Sequence, residues 1–367
     1  MFYMWGKVMF LFLLIILHLP QFGQQPRGNY KLNIMKSKNY MKNKFQNKGG
    51  ITTNMNFFKI LPLLPKWFSG KGENKPSWDI PVLIRHKAEF NKLNDSSVRL
   101  TWFGHSAYMV ELDNVRLFID PMLGPASSPF SFFSKRFNKT LPMGADDLPQ
   151  LDAVLFTHDH YDHLDYGTIL KLKEKVKKFF VPLGVGSHLV KWGVDINNIT
   201  EMDWWDEVEF NGLTLVCTPA QHFSGRGLTD RDKTLWCSYV IKGKTRKLFF
   251  NGDSGYFEGF KEISNKYGPF DICMMECGQY NELWKEIHMM PEETVKAHID
   301  LKGNLLVPIH WGAFSLSLHK WTEPVERLLK AAEQENIPVA TPMIGESIVY
   351  PGLIPNKKWW IKNFNKK

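Results

Sequence analysis

The chain has 367 residues, 44% of them apolar, which suffices for one large domain of about 250 residues with an appended segment. The formal net charge of +9 is unevenly spread: no Asp or Glu precedes Glu73, residues 1–72 carry 11 Lys or Arg, and the remainder holds 35 basic and 37 acidic residues. A near-neutral body argues against nucleic-acid binding, whereas a polybasic arm beside an apolar segment favours an anionic membrane surface. The four cysteines, Cys217, Cys237, Cys273 and Cys277, form no CxxC pair, so a thiolate zinc site is not expected and buried free thiols are.

Residues 1–20 carry one lysine, Lys7, ahead of the apolar run Val8–Leu17, and read as a targeting or anchor segment. The run is shorter than the about 20 residues a spanning helix needs. The side of the membrane stays open: Lys7 with a short apolar run suggests export, and the basic arm behind it suggests retention inside. Residues 21–75, rich in Asn, Lys, Gln and Gly, lack a helical or strand period and are expected to form a basic irregular arm. Residues 76–367 are expected to form the catalytic domain.

From about Ser97 the pattern changes. Val98–Phe103, Tyr108–Leu112, Val115–Ile119 and Ala153–Thr157 are short β-type runs bounded by turn residues. Tyr166–Phe180 reads as an amphipathic helix. Further strands are expected at Leu213–Cys217, Leu235–Ile241, Lys247–Asn251, Ile272–Met275 and Asn304–Ile309, with helices at Pro291–Leu301 and Pro324–Glu335. Strands mixed with crossing helices imply an α/β protein with two sheets and helices packed outside.

Chemistry concentrates in Thr157-His158-Asp159-His160-Tyr161-Asp162-His163-Leu164-Asp165. Three histidines and three aspartates within eight residues do not make a core element. Imidazole and carboxylate are the natural ligands of zinc and related divalent ions. The motif lies where an apolar strand stops, so a tight turn can aim His158 and His160 one way and Asp162 and His163 another, toward two neighbouring ions.

His-x-His-x-Asp-His after a strand resembles the metallo-β-lactamase superfamily, and later motifs agree in order: His222 in TPAQHFSGRG, Asp253 in FFNGDSGY and His310 in VPIHWG. The resemblance implies the αβ/βα four-layer sandwich, two mixed β-sheets flanked by helices. It implies two divalent ions, zinc suiting the ligands best: one held by His158, His160, His222 and Asp253, the other by Asp162, His163, Asp253 and His310. Asp120, ending a strand, matches an early aspartate that anchors the loop behind the metals. FGQQPRG, FQN near residue 45, TWFGHSA, MDWWDE, DKTLW, KYGPFD, HMMPEE and IHWGAFSL resemble, in combination, the N-acylphosphatidylethanolamine-hydrolysing phospholipase D family over roughly residues 20–350.

That family implies a phospholipid substrate, a membrane surface as partner through the N-terminal segment, and a homodimer. It also implies hydrolysis at phosphorus, yielding N-acylethanolamine and phosphatidic acid. Asp162 and His288 are the catalytic candidates, Asp162 orienting the attacking hydroxide and His288 binding a phosphoryl oxygen or protonating the leaving group. The family's vertebrate members have Gln before this histidine where this chain has Ile287, which puts that glutamine's role in doubt. Trp204, Trp205, Trp236, Phe223 and Trp311 are candidates for an acyl groove, each equally accounted for by core packing. His105, His298 and His319 read first as structural histidines. Two alternatives remain: a metal-dependent lactonase or amidase of the same fold, and a non-catalytic metal-binding scaffold.

Overall fold

The computed structural model describes residues 29–51, 73–90, 96–362 and 364. The expected targeting segment, residues 1–20, lies outside them. The arm is not irregular throughout: helix α1 spans Asn29–Lys36, and strands β1 (Tyr40–Met41) and β2 (Lys44–Phe45) pair antiparallel. Lys42 and Asn43 both adopt positive φ between them, the conformation of a tight two-residue hairpin. An element this short leaves no period to read in a sequence.

The first sheet is built from β3 (Val98–Trp102), β4 (Tyr108–Leu112), β5 (Val115–Ile119), β6 (Ala153–Leu155), β7 (Phe179–Pro182) and β8 (Ile199–Met202) in sequence order. Strand β15 (Ser347–Tyr350) is added beside β3. β3 to β5 are antiparallel, and the turn Asp113–Asn114 has positive φ at both residues, matching the twist of the strands it joins. β5 to β8 run parallel, so each connection must cross over. Helix α2 (Tyr166–Leu172), capped by Asp165 accepting from the Thr168 amide, makes one crossing, and α3 (Gly186–Lys191) another.

The helix expected over Tyr166–Phe180 therefore ends eight residues early. Ile169, Leu172 and Val176 continue the helical period, but Phe179-Phe180-Val181 is an aromatic and β-branched run, and it becomes β7, buried inside the sheet.

The second sheet has the order β14-β13-β12-β11-β10-β9. Strands β9 (Glu207–Phe210), β10 (Leu213–Thr218), β11 (Ser238–Lys242) and β12 (Lys247–Phe250) are antiparallel, the first pair joined by Asn211-Gly212 at positive φ. β12, β13 (Phe270–Glu276) and β14 (Gly303–Ile309) are parallel, with crossings by α4 (Gly259–Tyr267) and α5 (Pro291–Asp300). Helix α6 (Glu323–Gln334) follows β14. Both sheets are thus mixed.

Alternation sorts the core. Tyr108, Val110 and Leu112 of β4 join Leu215, Tyr239, Ile241 and Leu248 in one apolar cluster. Met109 of the same strand joins Phe118, Val154, Ile169 and Leu172 in a second. The first sheet is buried on both faces, as a layer inside a sandwich must be. All four cysteines are buried free thiols. Among the described residues no helix is long and apolar enough to cross a membrane.

Candidate metal centre

Every candidate ligand lies at or just beyond the C-terminal end of a strand. Asp120 follows β5, the 158–163 loop follows β6, His222 follows β10, Asp253 follows β12 and His310 follows β14. The turns that deliver them are unusual. Asp120 and His310 adopt φ +43° and +64°, and His105 +54°, in the left-handed region that Asp and His enter more readily than most residues and that turns the chain sharply at each strand end. Gly252, at φ +61° beside Asp253, has no room for a side chain, because a Cβ there would lie 2.9 Å from Thr157.

Two groups of donor atoms converge. His158 Nε2 is 2.9 Å from His160 Nδ1, which is 3.2 Å from His222 Nε2, and Asp253 Oδ2 lies 3.8 Å from His158 and 3.7 Å from His222. In the second group, His163 Nε2 lies 3.2 Å from Asp253 Oδ2 and 3.5 Å from Asp162 Oδ2. That oxygen is 3.6 Å from His310 Nε2. His310 Nδ1 also contacts Asp253 Oδ1. A tetrahedron with metal–ligand bonds of about 2.0–2.1 Å has edges of about 3.3–3.4 Å, and both groups bracket that spacing. His163 Nε2 is buried without a properly directed hydrogen bond despite the nearby carboxylates, an orphan atom that a shared cation would satisfy. The residues fit a divalent ion in each group, and Asp253 belongs to both.

Electrostatics agree with this reading. Burial lowers His158, His160 and His222 below the usual imidazole range, leaving them neutral, the form that binds metal. Burial alone would raise Asp162 and Asp253. His163 overcomes it in both, helped by the His105 hydrogen bond at Asp162 and by His310 at Asp253, so both stay well below the usual carboxylate range. His163 moves the other way: burial opposes its charge, yet Asp253, Asp162 and Asp120 raise it well above an ordinary histidine. A buried cluster that forces a proton onto an imidazole is one that lacks positive charge.

The nitrogens facing away from these clusters are held as well. His163 Nδ1 meets Asp120 Oδ2 at 2.8 Å, and Asp120 also accepts from the Thr157 amide and hydroxyl. His222 Nδ1 lies 3.1 Å from the Ile287 carbonyl, and His158 Nδ1 lies 3.0 Å from Thr157 Oγ1. Such contacts fix ring orientation and tautomer.

Sequence reasoning passed over several supports. His105, read first as structural, is fully buried with Nε2 2.8 Å from Asp162 Oδ2, and so braces a ligand. Asp159, the variable position of the motif, accepts from the Gly225 amide and Thr234 hydroxyl and lies 3.3 Å from His188. Its place between ligands was the only signal. Glu276, ending β13, meets His288 Nδ1 at 2.8 Å, and nothing in the sequence marks it.

A cavity of about 310 Å³ opens over the cluster. His160, Asp162, Asp253, His288 and His310 line one side, and Phe223, Trp284, Ile287 and Leu316 form an apolar wall. Of the aromatic candidates only Phe223 lines it. Trp204 is buried, donating to the Trp236 carbonyl, and Trp236 donates to Asn47. Trp205 lies under the Lys266 ammonium, and Trp311 is buried among Trp102, Trp359 and Trp360. These tryptophans face a second apolar environment, the core, which a sequence does not distinguish from a groove. His298 and His319 lie outside the cavity lining.

The beta-lactamase superfamily domain matches residues 115–311. An uncharacterized protein of Mycobacterium tuberculosis is 43% identical over 72% of this chain and 72% of its own length. N-acyl-phosphatidylethanolamine-hydrolyzing phospholipase D 1 of Caenorhabditis elegans is 32% identical over 77% of this chain and 83% of that protein. Among solved structures, Igni18, a metallo hydrolase of Ignicoccus hospitalis, superposes with a TM-score of 0.53 at 22% identity, over 70% of this chain and all of that one. By sequence match, sheet order and ligand geometry together, the chain belongs to the metallo-β-lactamase superfamily, as a metal-dependent hydrolase.

Proposed function

We propose that the protein is a dinuclear phosphodiesterase that hydrolyses N-acylphosphatidylethanolamine-type phospholipids to N-acylethanolamine and phosphatidic acid. One observation carries this reading: members of both donor groups (His160, Asp162, Asp253 and His310), His288 and an apolar wall line a single cavity. A phosphodiester flanked by acyl chains needs cationic and apolar contacts side by side. The name of the Caenorhabditis elegans relative supports the same substrate class.

His158, His160, His222 and Asp253 would hold one ion, and Asp162, His163, Asp253 and His310 the other, zinc suiting this donor set best. When bound, the ions supply Lewis acidity, activating water and offsetting charge on the phosphoryl group. The chain's own residues do the rest. Asp162, held as a carboxylate, accepts a proton from the attacking water. Phe223, Trp284, Ile287 and Leu316 exclude bulk water and accept apolar chain. His288, oriented by Glu276, hydrogen-bonds a phosphoryl oxygen or passes a proton to the departing alkoxide. The oxygen of water ends on phosphorus, and the bond from phosphorus to the ethanolamine oxygen breaks. Contact with a membrane surface and a homodimer belong to the same proposal.

The deciding experiment measures metal per chain and hydrolysis of N-acylphosphatidylethanolamine in micelles, before and after chelation, beside a panel of lactones and amides. Two metals and chelator-sensitive release of N-acylethanolamine are expected. Lactone or amide turnover without lipid turnover would assign the site to a different substrate class.

A further inference from the structure

The matched family domain begins at residue 115, yet a residue far upstream of it reaches the metal cluster. Asn47 is 7% exposed, and its side chain forms a closed pair of bonds with the backbone of His222: Nδ2 donates to the His222 carbonyl at 2.8 Å, and the His222 amide donates to Oδ1 at 3.0 Å. Oδ1 also accepts from Trp236 Nε1 at 3.0 Å. His222 follows β10 in a loop, where no strand neighbour supplies these backbone partners, and a buried amide or carbonyl left unpaired is costly.

The segment around Asn47 is itself pinned. Ile34 and Phe45 are buried, the Phe45 amide donates to the Asp232 carbonyl at 2.8 Å, and Lys233 Nζ donates to the Asn43 carbonyl at 2.6 Å. On the opposite side, His222 Nδ1 is fixed by the Ile287 carbonyl. Backbone and ring of one candidate ligand are therefore held from two distant parts of the chain.

We infer that Asn47 is a positioning residue of the metal centre, through which the N-terminal arm sets the place of His222 and hence the metal affinity of the group formed by His158, His160, His222 and Asp253. The inference rests on the metal-site reading above and is independent of which substrate is cleaved. An asparagine suits the task because one side chain offers a donor and an acceptor in the spacing of a peptide group. Aspartate keeps the acceptor and loses the donor.

The test uses the full chain with Asn47→Ala and Asn47→Asp, and Lys48→Ala as a control on the adjacent residue, whose ion pair with Glu262 lies at the surface. Zinc affinity is read by competition titration with a chromophoric chelator, and unfolding of the metal-free protein by thermal melt. Partners that orient a ligand typically change affinity by about 10- to 100-fold. One of two binding steps should weaken by that factor in both Asn47 variants and in neither step of Lys48→Ala. The other step, whose group His222 does not join, should change by clearly less than that factor. Wild-type affinity in both steps, or equal weakening of both, would overturn the inference. If Asn47→Ala melts below the assay temperature, Asn47→Ser, which retains a small polar group, gives the same reading. Lipid turnover is not used, so failure of the proposed substrate would leave this result intact.

Discussion

Glu276 Oε2 lies 2.8 Å from His288 Nδ1, while Glu276 Oε1 accepts from the Met289 amide at 2.7 Å. Burial, and then the Asp253 carboxylate, push the Glu276 carboxyl well above its ordinary range, and burial lowers His288. With that ordering a neutral carboxyl would donate to Nδ1 and leave the hydrogen on Nε2 of the cavity-lining ring, the protonation pattern that variants of Glu276 test. Glu276→Gln, whose amide also donates, should keep kcat within about tenfold of wild type, the scale of one hydrogen bond. Glu276→Ala and His288→Ala should lower kcat by about 10²- to 10⁴-fold with little change in KM. Steady-state kinetics on metal-replete protein decides, and equal losses in the Gln and Ala variants would show that Glu276 acts as an ionised acceptor.

Asp253 lies within reach of both donor groups. Asp253→Ala should cost more than the about 100-fold in metal affinity that a supporting residue contributes, and in both binding steps. Metal content after gel filtration should fall from two per chain to below one while the circular dichroism spectrum is retained. Retention of one tightly held ion would mean that the two groups do not share this carboxylate.

The sequence carries the metal residues more legibly than their supports, for a physical reason. The clustered His and Asp of residues 158–163 beyond a strand mark that loop by residue type and spacing, whereas His222, Asp253 and His310 are picked out by the resemblance of their motifs to the superfamily's, since His105 and Asp203 also follow strands. Long strands such as β4, β5 and β14 are legible because alternation or apolar runs persist for five to seven residues. The two-residue strands β1 and β2 and the exposed β9 are not, since pairing rather than pattern makes them strands. The roles of Glu276 and Asn47 are hidden differently: nothing around Glu276 marks its contact with His288, and Asn47, although inside the FQN motif, acts on His222 from 175 residues away. Trp204 and Trp311 illustrate the converse. Their size and apolarity suit a groove or a core equally, and only the sheet packing assigns them to the core.

His105 braces Asp162 from a fully buried position, and burial lowers it to about 3, so it is a neutral imidazole at any working pH. Its proton on Nε2 can donate to Asp162 without competing for the metal as a second charge. His105→Ala should weaken the metal step that involves Asp162 by about 10- to 100-fold. His105→Asn, with a donor on a shorter side chain, should recover part of that loss. The check is the same chelator competition, and an unchanged affinity in His105→Ala would reduce this residue to core packing.

Acid should destabilise the fold through a histidine outside the metal centre. His298 on α5 is 1% exposed, and burial depresses it to about 4, opposed only by the Gly303 backbone. Its ordinary value is 6.5. Between pH 6.5 and 4 the unfolded chain binds this proton and the folded chain does not, so stability falls as pH falls through that window and is unaffected above it. The shift corresponds to about 3 kcal/mol across the window. His298→Leu, apolar and of similar size, removes the titration. Urea unfolding of wild type and variant at pH 7 and at pH 4 should show the variant losing about 3 kcal/mol less than wild type, whatever other groups contribute to both. Parallel loss in the two proteins would place the acid sensitivity elsewhere, with the metal-ligand carboxylates and imidazoles as the remaining source.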